Sequence, residues 1–427
     1  MRVAARGPAG RAAGQKSLTR ESVAESQENG VGVVLSGGGA SGAYEVGVLK
    51  ALFSGKSPAT GGVPLVPQIC AGTSIGSFSA AFLVSRLDDY GPAVAGDLEA
   101  AWLDRLSQSW RFGRPNGAFR YRGDPFLFLA PQSYVPNPLR PFLDAAKDGA
   151  FLFWDGLTRV RNLVVNREED LEQRIVDLFN IASFVSTEPF EQTIRETISF
   201  SKIRRATTLL RIPATNWTTG EVTVFKNNEM TDRDGPYKIL ASSSIPGLLP
   251  PVPIGAEPHV DGGVLINTPL RLVTGHAQVI HVIYLDPDIK KIPLGTLDST
   301  LGAMYRQQTI SWAKLVNDDI ADARAINEVL KMAGRAGGGR SAPDQSRSSL
   351  YVGLSQVWNR QQEVEAHARS PYRLLTIHRY HPREDLAGGP MGVLNFDRAH
   401  IEDLIERGFE DAIAHDCNES ECVLPDR

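Results

Sequence analysis

The residues best placed to do chemistry are Gly72-Thr73-Ser74-Ile75-Gly76, which read G-x-S-x-G. This spacing puts a serine on a sharp turn between strand and helix, its hydroxyl exposed above a sheet. A serine held that way suits nucleophilic attack on a carbonyl, provided that a base takes its proton and donors hold the oxyanion. The flanks agree. Val66 to Cys70 suits a short strand, limited by Pro67. Ile75, Phe78, Phe82 and Leu83 then recur at helical spacing. Gly72 and Gly76 let the backbone turn tightly beside the serine.

A second glycine stretch precedes it. Val31 to Leu35 reads as a buried strand that ends at Ser36-Gly37-Gly38-Gly39-Ala40-Ser41-Gly42. A helix follows with Tyr44, Val48 and Leu52 on one face and Gly55 as its stop. Strand, glycine loop and helix aim free amides at an anion, either a phosphate or the oxyanion of acyl transfer. Gly37-x-Gly39-x-x-Gly42 satisfies the dinucleotide fingerprint formally. That fingerprint also wants an acid about 20 positions on, and residues 55 to 70 contain none. Gly55-Lys56-Ser57 resembles the end of a phosphate-binding P-loop, but Lys50 occupies the place of its first glycine. The oxyanion reading is favoured because Ser74 follows on the next strand-turn-helix. An ordinary α/β-hydrolase is disfavoured, since only one strand and one helix fit before Ser74.

Downstream, His259-Val260-Asp261-Gly262-Gly263 sets a carboxylate before two glycines, which lets it project from a tight turn. By itself Asp-Gly-Gly is an ordinary turn. Asn267 and Pro269 read as support for the following loop. His259, His276 and His281 are the histidines near enough in sequence to form a triad with Ser74. The eight histidines show no metal-ligand spacing, and Cys417 and Cys422 have no evident partner ligands, so no metal is expected.

The elements that must carry these residues are partly legible. A helix is expected through Leu171, Ile175, Leu178 and Phe179, and another after Thr187-Glu188-Pro189. Thr207 to Ile212 and Glu221 to Phe225 read as strands joined by a turn at Asn216 to Gly220. Leu240 to Pro246 ends a helix, and Pro250 to Pro253 is extended. Gln278 to Leu285 is a strong buried strand, and Thr300 to Leu330 a long helix or helix pair. Arg373 to Tyr380 reads as a strand. Asp397 to Ala414 reads as a closing helix with Ile401, Leu404, Ile405 and Ile413 turned inward.

Composition sets bounds. The chain has 427 residues, 42% hydrophobic and 22% charged, with a net charge of −4, so no basic field suggests nucleic acid. Three cysteines, Cys70, Cys417 and Cys422, are too few for a disulfide scaffold and favour a reducing compartment. No apolar run reaches the ~20 residues of a membrane helix, so a cytoplasmic protein with at most peripheral membrane contact is expected. Residues 1–30 read as a disordered tail. Residues 31–427 read as one domain, with an aromatic-rich insertion or cap at about 87–170 and a flexible loop at about 334–349. The cap either packs onto the core or lines an acyl-chain pocket.

Four segments together resemble the patatin-like phospholipases. Gly37 to Gly42 is similar to that family's oxyanion loop, and Gly72 to Gly76 to its nucleophile elbow. Ala241-Ser242 through Ile245-Pro246 is similar to its small-residue and proline segment, and Asp261-Gly262-Gly263 to its catalytic turn. The resemblance covers about residues 31 to 290. It implies a three-layer α/β/α sandwich with a mainly parallel sheet, and hydrolysis of lipid acyl esters by a Ser-Asp dyad without a cofactor. Carried over, Ser74 is the nucleophile and Asp261 the base. Amides among Gly37, Gly38, Gly39, Ala40 and Gly42 form the oxyanion hole, with Gly72, Gly76, Gly262 and Gly263 in support. The family usually has Arg or Lys where this chain has Ser41, which shifts the expected substrate toward neutral acylglycerols or simple esters. A non-catalytic lipid-binding module on the same fold is the alternative, and the oligomeric state is open.

Overall fold

The computed structural model describes residues 30–106, 120–121, 153–154, 157, 185–285, 300–336, 374–384, 386, 393 and 395–425. The strands of its main sheet are β1 (Val31–Leu35), β2 (Ile69–Gly72), β3 (Leu209–Asn216), β4 (Val222–Lys226), β5 (Val252–Ile254), β6 (Glu257–Asp261), β7 (Val279–Ile283) and β8 (Thr376–Tyr380). The helices used below are α1 (Ala43–Phe53), α2 (Ile75–Val84), α3 (Val94–Ala101), α4 (Glu188–Thr197), α5 (Gly235–Ser242), α6 (Thr300–Ala336) and α7 (Arg398–Ile413).

All eight strands join one sheet in the order β8-β7-β1-β2-β3-β6-β5, with β4 also paired to β3. β8, β7, β1, β2 and β3 run parallel, and β4, β6 and β5 are added antiparallel. Alternation along β1 separates two cores. Val33 and Leu35 pack with α1, α2, α3, α4 and α7, whereas Val34 packs with α6 and the Leu270–Ala277 segment. A parallel sheet covered on both faces needs apolar residues at successive positions, and Val33-Val34-Leu35 supplies them. The result is the expected three-layer α/β/α sandwich.

The register on β3 positions the chemistry. Arg211 pairs with Ala71 of β2 and with Lys226 of β4, so these strands lie on opposite sides of it. Three residues on, Ala214 pairs with Thr223 of β4 and with Asp261 of β6. β2 and β6 therefore share one edge of β3 and run toward each other. β2 leaves that edge just before Ser74, and β6 arrives on it with Asp261. Two positions far apart in sequence thus meet end to end on a third strand.

Several expectations shift. α6 is one continuous helix through Ala336, so it occupies the first positions of the loop expected at 334–349. Ile413 is 41% exposed, and Ala412 takes the inward position in the last turn of α7. Val66 is exposed and lies outside β2, which starts only after Pro67. Residues 1–29, the expected helix through Leu171 to Phe179, and most of the aromatic cap lie outside the described residues. Within the described part of the cap, Trp102 is buried against Phe396, with ring centroids 6.2 Å apart, whereas Phe153 and Trp154 are exposed.

Candidate active site

Ser74 sits between β2 and α2 with φ 55° and ψ −127°, a conformation that non-glycine residues rarely adopt. The surroundings hold it there. Its N–H donates to Ser242 Oγ (3.1 Å), whose own hydroxyl donates to the Pro213 carbonyl (2.7 Å). Its carbonyl accepts from the Ser77 N–H (2.9 Å) and the Ser77 hydroxyl (2.6 Å). The two glycines of the elbow are required by close approach. A Cβ on Gly72 would lie 2.1 Å from the Gly76 carbonyl oxygen, and one on Gly76 would lie 2.7 Å from that of Ser36.

Asp261 is equally constrained. Its N–H donates to the Ser244 carbonyl (2.9 Å), its carbonyl accepts from the Thr215 hydroxyl (3.0 Å), and its carboxylate accepts from the Gly263 N–H (2.7 Å). The Ser74 side chain acts on the same carboxylate and favours its charged form. Burial pushes the Asp261 carboxyl up from 3.8 to about 7, and Ser74 and the Gly263 N–H only partly offset it. Gly262 lies against the Pro213 carbonyl, where a Cβ would come within 2.5 Å. α6 braces the turn, because Trp312 Nε1 donates to the Gly263 carbonyl (2.5 Å).

The glycine loop lies over this pair. A Cβ on Gly37 would come within 2.9 Å of Ser74 Cβ. The Gly37 N–H, however, already donates to the Asn267 carbonyl (3.1 Å), so that amide is committed to the scaffold. Gly42 closes the short helical turn Gly39–Gly42 and caps α1. The amide hydrogens of Gly38, Gly39 and Ala40 have no acceptor among the described residues. Gly39 has φ +57°, and a Cβ there would sit 2.1 Å from the Val393 carbonyl oxygen, so glycine is needed on both counts. Ser41 is buried, with its N–H on the Gly38 carbonyl (3.2 Å).

Ser74 opens into a narrow cleft that also touches Gly39 and Ser243. Its walls are apolar: Ile75, Phe190, Ile245, Leu249, Val393 and Phe396. The three histidines have other partners. His259 is bound to Thr223 Oγ1 (3.1 Å) and the Glu257 carbonyl (3.0 Å), and His276 Nε2 is 3.5 Å from Arg211. His281 stacks on His378 with centroids 5.0 Å apart.

One supporting group escapes the sequence reading, and a second, Asn267, reads there only as support for the loop after Asp261. Glu45 of α1 is fully buried and accepts the Ser36 N–H at 2.8 Å, just before the glycine loop, and burial drives its carboxyl well above the usual range. A glutamate on an otherwise apolar helical face was its only signal. Asn267 Nδ2 donates to the Gly37 carbonyl (3.2 Å), while its Oδ1 is buried without a partner among the described residues. One expectation is corrected. Cys417 and Cys422 do have companions, because the fold brings His378 and His415 to them.

A family model described as patatin-like phospholipase matches residues 33–274. Over 83 residues the chain is 40% identical to a patatin-like phospholipase domain-containing protein, ZK370.4, of Caenorhabditis elegans, which covers 19% of this chain and 5% of that protein. Among solved structures it is similar to VipD from Legionella pneumophila at 15% identity, over 90% of this chain and 67% of that one, with a TM-score of 0.31. The family match takes in more than half of the chain and includes the glycine loop, the serine elbow and the Asp-Gly-Gly turn, and the chain belongs to the patatin-like phospholipase family.

Proposed function

We propose that the chain hydrolyses acyl esters of lipids through a Ser74-Asp261 dyad and a covalent acyl-enzyme. The observation that supports this reading is a buried carboxylate held near neutrality, which the shared edge of β3 brings to the end of the strand that leads into Ser74. Aspartate is ordinarily too weak a base for a serine hydroxyl, since its reference pKa is about 3.9. Desolvation brings it to about 7, the range in which a general base serves best at neutral pH.

Ser74 Oγ attacks the ester carbonyl carbon as Asp261 takes the hydroxyl proton. Negative charge moves to the former carbonyl oxygen, which the amides of Gly38, Gly39 and Ala40 receive. Each such donor is typically worth ~3 kcal/mol. Collapse expels the alcohol, which takes the proton from Asp261. Water then attacks the acyl-enzyme by the same route in reverse, with Asp261 again the base. The backbone of Ser74 is fixed at both N–H and C=O, so little reorganisation is left for the reaction itself.

The apolar walls of the cleft suit a fatty acyl chain. Ser41 is buried and uncharged where the family pattern carries a cation, so neutral acylglycerols and simple esters are the favoured substrates. A panel of p-nitrophenyl esters, diacylglycerol, phosphatidylcholine and phosphatidylglycerol, run beside Ser74→Ala, tests this. Hydrolysis lost in Ser74→Ala, with no advantage for the anionic headgroup, is expected. Vesicle binding without turnover on any ester would overturn it in favour of a non-catalytic lipid-binding module.

A further inference from the structure

Away from the cleft, four side chains converge whose chemistry the dyad does not use. The ligand atoms of His378, His415, Cys417 and Cys422 all lie within 4.8 Å of one another. Cys417 Sγ is 3.4 Å from His378 Nδ1 and 3.6 Å from His415 Nε2, and Cys422 Sγ is 3.5 Å from His415 Nε2. We propose that these four residues bind a structural zinc ion in a tetrahedral Cys2His2 site.

The edge lengths carry the argument. With Zn–S at about 2.3 Å, Zn–N at about 2.0–2.1 Å and a tetrahedral angle, adjacent sulfur and nitrogen ligands lie about 3.5 Å apart. The three measured separations fall on that value. Two thiolates and two neutral imidazoles also give zinc a neutral complex, and binding releases the two thiol protons. The surrounding groups are placed as outer ligands are in zinc sites. Ser420 Oγ lies 3.4 Å from His415 Nδ1, which fixes the ring with Nε2 toward the sulfurs. The Arg379 N–H donates to Cys422 Sγ (3.3 Å), and the Cys422 N–H closes the loop on the Cys417 carbonyl (2.9 Å).

The topology supplies the purpose. β8 is the edge strand of the sheet, and the segment after α7 folds back on it through paired bonds between Ile377 and Val423. His378 belongs to β8, while the other three ligands belong to that returning segment. A zinc ion would pin the cover to an otherwise open edge.

The test is metal analysis of the full chain purified under reducing conditions, followed by exchange to cobalt(II). About one zinc per chain is expected. The cobalt protein should show the ligand-field bands of tetrahedral cobalt and a sulfur-to-cobalt charge-transfer band. His415→Ala should weaken both, and Cys417→Ser with Cys422→Ser should abolish them. Metal-free protein that takes up neither zinc nor cobalt after reduction would overturn the proposal, and so would an octahedral cobalt spectrum or a Cys417–Cys422 disulfide in the purified chain. The wild-type measurements decide the matter even if a variant fails to fold.

Discussion

At the scale of single residues, two buried acids matter most, and desolvation raises the pH at which each ionises. Asp261 must be ionised to act as a base, so kcat/KM should rise with pH through about 7 and then level, the opposite of a group needed in its protonated form. A steady-state pH profile on a soluble ester checks this. The same carboxyl has a stability consequence. Its folded pKa lies above its unfolded value, so its contribution is fully present below about 4 and is lost as pH rises through about 7. The shift caps that loss at roughly 4 kcal/mol. Asp261→Asn should therefore cut turnover by about 10²–10⁴-fold, the usual share of a general base, yet raise the melting temperature at pH 8. Glu45 obeys the same sign. Glu45→Gln keeps an acceptor for the Ser36 N–H and should stabilise the protein at pH 8 relative to pH 4.5, with activity retained. Glu45→Ala leaves the Ser36 N–H only its longer bond to the Ile283 carbonyl (3.2 Å) and should cost about 1 kcal/mol in denaturant melts.

At the scale of elements, the glycine loop is held from behind by α1, and α1 by α7. The two helices approach closely at two glycines. A Cβ on Gly47 would lie 1.9 Å from the Ile405 carbonyl oxygen, and one on Gly408 would lie 2.0 Å from that of Tyr44. The Tyr44 hydroxyl crosses the same seam to Asp411 (2.9 Å). Either Gly→Ala change forces the helices apart and should cost at least 1–3 kcal/mol, read as a lower urea midpoint. Activity should fall with it, because α1 begins where the loop ends. These elements were also the legible ones. Val31–Leu35 and the helix after the glycine loop were readable because periodicity and glycine punctuation are local. Ile413 was misjudged because a helical stripe drifts off the core in a last turn, where Ala412 packs instead.

At the scale of the whole molecule, what could not be read was whatever depends on which strands become neighbours. Ser74 announces itself by its elbow, but Asp261 stands in a turn like many others, and only resemblance singled it out. Its meeting with Ser74 is a product of the shared edge of β3. The Cys-His cluster was missed for the same reason, since His378 lies on a strand remote from Cys417 and no fixed spacing marks it. The cleft also gathers residues from distant elements, Phe190 from α4 and Leu249 from the loop after α5. Leu249→Trp should block its apolar end. The kcat/KM for long-chain p-nitrophenyl esters should then drop about tenfold or more, while acetate changes little, equivalent to at least ~1.4 kcal/mol of lost transition-state binding. Labelling the folded protein with a fluorophosphonate and locating the adduct by peptide mass spectrometry is the sharpest test of the Ser74-Asp261 pairing. One adduct per chain on Ser74 is expected, formed more slowly below pH 7 and nearly absent in Asp261→Asn. An adduct on another residue, or full-rate labelling of Ser74 in Asp261→Asn, would contradict it.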